Sequence, residues 1–173
     1  LASQGRFDAA FEEFGREVAQ ARQRGLYREE YAAASLVWRG YAALQLGRLD
    51  EAEEAFRSAN EYMDHYPRAI LGLREVRQRR GDGRTAADLQ SQAEGAVSGM
   101  HQADRPAEWL YGRACLAAAD GDANAAVACL NQMLDSVLPS FVGWQLPIDP
   151  AFLSIRQDAG FTAVLTRLAE RAK

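Results

Sequence analysis

Leu46-Gly47-Arg48-Leu49-Asp50-Glu51-Ala52, followed by Phe56 and Ala59, is the stretch whose reading decides the fold. Gly47 suits the left-handed residue just past a helix C-terminus, where a side chain would clash. Asp50 stands where a short polar side chain can cap the following helix. Ala52 lies one turn inside that helix, and a small residue there lets two helices approach closely. Ala55, Phe56, Ala59 and Met63 extend an apolar stripe with the 3.6-residue period. These residues specify a helix, a tight turn, and a second helix folded back on the first.

The arrangement recurs on both sides. Gly5-Arg6-Phe7-Asp8-Ala9-Ala10 leads to Phe14, and Gly81-Asp82-Gly83-Arg84-Thr85-Ala86 leads to Ala93. Gly121-Asp122-Ala123-Asn124-Ala125-Ala126 leads to Leu130 and Met133, with Asp8 and Asn124 in the capping role of Asp50. The leading glycines are 42, 34 and 40 residues apart. Self-similarity at that period is the signature of stacked helix pairs. Second helices are marked by Ala86, Leu89, Ala93 and Val97, and by Ala126, Leu130, Met133, Leu134 and Val137. First helices show Leu36, Gly40, Ala43 and Leu44; then Ile70, Leu73 and Val76; then Leu110, Ala114 and Ala117. No segment alternates with period two, so the expected fold class is all-α.

Bulk composition fits this. The 173 residues suffice for one domain or one short solenoid, and 48% hydrophobic with 25% charged residues is a globular balance. A net charge of -4 gives no general attraction to nucleic acid, and no run of eighteen apolar residues suggests a membrane span. Nineteen Arg against one Lys (Lys173), with abundant Ala, reads as the codon bias of a GC-rich bacterial genome. Leu1–Gly5 has no signal-peptide profile and no start Met, which suggests part of a longer or processed chain. The cytoplasm is the default location, with the periplasm left open. Cys115 and Cys129 are too few for a disulfide framework; they read as small packing residues on either side of the Asp120–Asp122 turn.

On these residues the chain resembles the tetratricopeptide repeat family. The best match is Leu36–Pro67, with Gly40, the Leu46–Ala52 turn, Phe56 and Ala59. The unit from Tyr111-Gly112-Arg113-Ala114-Cys115-Leu116-Ala117 into Gly121-Asp122 matches well too. In the unit between them, Arg74 and Arg77 replace small or aromatic core residues and Gln90 replaces the bulky aromatic. The resemblance implies a right-handed α-α superhelix of about three and a half helix pairs over residues 1–138. A loop and C-terminal helical cap would follow at 139–173, within a single structural domain. The tail Asp149-Pro150-Ala151-Phe152-Leu153-Ser154-Ile155-Arg156-Gln157-Asp158, then Phe161 and Leu165, is similar to the closing segment of bacterial repeat-containing regulators, with Ala159-Gly160 in place of the usual Pro-Arg. Asp149 can cap a short helix with Pro150 at its first position. Phe152, Ile155, Phe161, Leu165 and Leu168 can cover the end of the last repeat, and Trp144, Leu146 and Pro147 help seal it.

No catalytic, metal or cofactor constellation is legible. His65 and His101 have no partner at metal-ligand spacing, and His65 beside Asp64, Tyr66 and Pro67 reads as a capping or surface residue. Gly81-Asp82-Gly83 joins two helices, not a strand and a helix, so it lacks the context of a phosphate loop. Neighbouring acids such as Glu12-Glu13 and Glu53-Glu54 diverge by about 100° on a helix and read as solvated faces. We therefore expect no enzyme.

The resemblance implies a protein or peptide partner, in a bacterial regulatory or signalling protein, bound along the groove lined by first helices. Its candidates are Tyr41, Gln45, Arg68, Leu71, Glu75, Arg79 and Tyr111, with Glu108 and Cys115 beside them. Tyr41 and Tyr111 have an alternative role as packing between repeats. Residues 50–64 carry six acids against Arg57, and residues 68–84 carry six arginines against Glu75 and Asp82. Those arginines could clamp a carboxylate of the partner, or simply exchange ion pairs with the acidic helix. The runner-up functions are an effector-sensing domain of a transcriptional regulator, and self-association through Phe7, Phe11 and Phe14 of the truncated first unit.

Overall fold

A computed structural model describes residues 4–21, 28–102, 106–136 and 145–171. Among these residues there is no strand, and the chain is all-helical. The elements are α1 (Phe7–Ala21), α2 (Arg28–Gln45), α3 (Leu49–Tyr62), α4 (Pro67–Arg79), α5 (Gly83–Gln102), α6 (Pro106–Ala119) and α7 (Ala123–Ser136). A 3₁₀ helix (Pro150–Ile155) and α8 (Ala159–Arg171) follow. No described helix is long and apolar enough to cross a membrane.

The three turns that join α2 to α3, α4 to α5 and α6 to α7 share one hydrogen-bond pattern. The Gly47 amide donates to the Leu44 carbonyl at 3.2 Å and the Arg48 amide to Ala43 at 2.9 Å. Gly81 and Asp82 do the same to Gln78 and Arg77, and Gly121 and Asp122 to Ala118 and Ala117. This closure satisfies the last helical carbonyls and needs a left-handed residue at its centre. The three glycines have φ of 72°, 78° and 77°. Four residues past each turn's second position, Ala52, Ala86 and Ala126 bond back to it and are buried. Ala10 repeats the pattern at α1, after Gly5 with φ of 73°.

The capping expectation needs correction. Asp8, Asp50 and Asn124 lie inside the first turns of α1, α3 and α7. The closure leaves only one residue between the glycine and the first helical amide, so the cap is the residue directly after the glycine. Asp82 accepts from the Thr85 amide at 3.2 Å, and Asp122 from the Ala125 amide at 2.9 Å. Before α3 that position is Arg48, which supplies no side-chain cap. Asp50 and Glu51 there offset the exposed amides through the helix dipole instead.

The chain divides into two compact units, Leu1–Ala93 and Glu94–Lys173, with α5 running across the division. The boundary read from sequence, at residue 138, marked off only the cap. In the first unit α1 packs on α2, α2 on α3 and α3 on α4, while α2 also meets α4. Phe56 of α3 lies at the centre of that packing and is fully buried. A Cβ on Gly40 of α2 would come within 2.6 Å of its ring, and one on Gly72 of α4 closer still. The ring therefore fills space that two glycines on two different helices leave free. Burying such a side chain contributes about 1.5–3 kcal/mol.

In the second unit α6 packs on α7, the 3₁₀ helix on α6, and α8 on α7. A Cβ on Gly112 of α6 would lie 2.9 Å from Val97 of α5, so a glycine again gives way to a bulky neighbour. Asp149 caps the 3₁₀ helix as expected, accepting from the Ala151 amide at 2.9 Å with Pro150 next in line. Leu146, Phe152, Ile155 and Phe161 are buried, and Leu165 and Leu168 half-buried. The expected contributions of Trp144 and Val137 fall outside the described residues.

Candidate functional site

The seven groove candidates separate into buried and accessible residues. In the first unit Tyr41, Arg68 and Leu71 are at most 8% exposed. Tyr41 sets its ring edge-on to Phe56 at 5.2 Å, so it takes the packing role. The Arg68 guanidinium lies over the Trp38 ring at 5.4 Å, and Trp38 stacks on Phe14 at 6.0 Å. One row of contacts thus runs from α1 through α2 to α4.

Gln45, Glu75 and Arg79 remain accessible, and the fold gathers them at one edge. Arg79 donates from Nη1 to the Leu44 carbonyl at 2.6 Å, capping the end of α2 beside Gln45. Its Nε bonds Glu75 at 2.7 Å, one turn earlier on α4. Tyr31, 62% exposed near the start of α2, is a surface aromatic that the sequence pattern does not single out. Tyr31 and Gln45 are fourteen residues apart, close to four helical turns, which places them on one side of α2.

The second unit holds the seventh candidate. Tyr111 of α6 is buried; its hydroxyl donates to the Asp149 carboxylate, and its ring meets Phe152 edge-on at 5.7 Å. It too packs, here against the C-terminal cap. Phe152 in turn stacks on Phe161 at 5.4 Å. Cys115 and Cys129 are both buried and not joined in a disulfide, and Glu108 is exposed. On the same helix Arg113, exposed, sits over Trp109 at 5.0 Å.

The charge blocks meet each other within the first unit. Glu53 is buried and pairs with Arg57, Arg77 and Arg80, while Arg80 also reaches Asp50. This corrects the reading of Glu53-Glu54 as solvated faces: Glu54 is exposed, but Glu53 turns toward the C-terminal end of α4. Burial by itself would push the Glu53 carboxyl up. The hydrogen bond from Arg80 and the charges of Arg57, Arg77 and Arg80 together outweigh that, and hold it below its ordinary value. Asp82 is also held low, by its hydrogen bonds from Thr85 and then by Arg77 and Arg84. Arg77 and Arg80 thus pair with the acidic helix, as in the ion-pair reading of the two blocks, while Arg79 pairs with Glu75 of its own helix.

His65 is exposed with φ of 55°, just past α3, and its Nε2 is 3.4 Å from Asp64. The adjoining turn is held by the Asn60 side chain, which accepts from the Tyr66 amide at 3.0 Å. The His101 side chain lies outside the described residues. No cluster of three or more His, Cys, Asp or Glu that could hold a metal occurs among the described residues. Of the aromatics expected to drive self-association, Phe11 is buried beneath Arg39, at 4.2 Å, and Phe14 is half-buried against Trp38. No family model, curated protein or solved structure matches the chain.

Proposed function

We propose that this chain is a tetratricopeptide-like helical-repeat module that binds a segment of another protein. The observation carrying this reading is the contact between α2 and α4 around α3, with Phe56 lodged against Gly40 and Gly72. That is the packing expected of successive helix pairs stacked in a solenoid, where each repeat contacts its neighbours. The repeated glycine closures before α3, α5 and α7 support the same unit. Such stacking lines first helices along one side, a surface suited to an extended or helical segment of a partner.

The partner would meet the first unit along the accessible side of α2 and the adjoining end of α4: Tyr31, Gln45, Glu75 and Arg79. Tyrosine and arginine give large contact area with a polar handle, which binding surfaces favour. The Arg79–Glu75 pair is half open to solvent, and exposed pairs are worth only about 0–1 kcal/mol, so a partner's carboxylate can displace Glu75 at small cost. Arg77 and Arg80 take no part in that contact, because Glu53 and Asp50 hold them. The test is photo-crosslinking from Tyr31 and Gln45, with an outward control at Glu54, followed by binding of the purified captured protein to Tyr31→Ala and Arg79→Ala. Capture from the first two positions alone, with weaker binding by both variants, supports the reading. Equal capture from Glu54, or unchanged affinity, counts against it.

A further inference from the structure

We draw no further inference here: the strongest candidate, the half-buried apolar side of α1 at Phe7 and Phe14, carries nothing because nothing in the structure shows what covers it.

Discussion

Gly72 on α4 exists to make room for Phe56 on α3. A Cβ at Gly72 would run into the Phe56 ring, which is fully buried and whose same edge lies against Gly40. The Gly72→Ala variant should therefore lose about 1–3 kcal/mol, the usual cost of overpacking a filled core. Phe56→Leu removes ring atoms near that clash, so the double variant should lose less than the two single losses combined. Chemical denaturation of the four proteins measures the coupling. Strict additivity would show that Gly72 and Phe56 do not share the space.

Glycines separate by backbone conformation. Gly121 has φ of 77° and closes the α6–α7 turn, so Gly121→Ala should destabilise by roughly 1 kcal/mol. Gly95, inside α5, has open space where a Cβ would stand and no positive φ. Gly95→Ala should stabilise by about 0.5–1 kcal/mol through helix propensity. Thermal melts of the two variants should move in opposite directions.

Much of this was legible in the sequence because it is local. The glycine turns, the buried alanines at 10, 52, 86 and 126, and the Asp149-Pro150 start follow from short-range geometry. What sequence left hidden depends on distant neighbours. Glu53 and Glu54 are adjacent and chemically identical, and it is Glu53 alone, flanking the buried stripe of α3, that meets the arginines of α4. Arg57 one turn later, with Arg77 and Arg80 in the next helix, was the available signal. Tyr41, Arg68 and Tyr111 have the residue types that binding grooves use. Their places beside Phe56, Trp38 and Asp149 are tertiary facts that periodicity does not encode.

Glu53 also predicts how the first unit responds to acid. Its folded carboxyl titrates below the ordinary value of 4.5, so the unfolded chain binds the proton more readily. Its stabilising effect is complete above that value and is lost as pH falls through the lower, folded one. Stability should decline as pH drops below about 4.5, and Glu53→Gln should flatten part of that decline. At neutral pH the same variant should cost about 1–2 kcal/mol, discounted because its arginine partners reach solvent. Denaturation midpoints at a series of pH values test both statements.

The cap should depend on the Tyr111 hydroxyl. Tyr111→Phe keeps the ring against Phe152 but removes one donor from the buried Asp149 carboxylate. A loss of about 1–3 kcal/mol is expected, with faster amide exchange in residues 150–171 than in α2 or α3. Unchanged exchange in that segment would show that the hydroxyl does not secure the cap.

The most direct test of the binding role is the crosslinking comparison between the two sides of the first unit. Photoreactive residues at Tyr31 and Gln45 should capture the same protein, while one at Glu54 on α3 should not. Affinity of that protein, once purified, should fall at least several-fold in the Tyr31→Ala and Arg79→Ala variants, roughly 1 kcal/mol or more each. Capture spread equally over both sides, or no protein captured from either, would contradict the account.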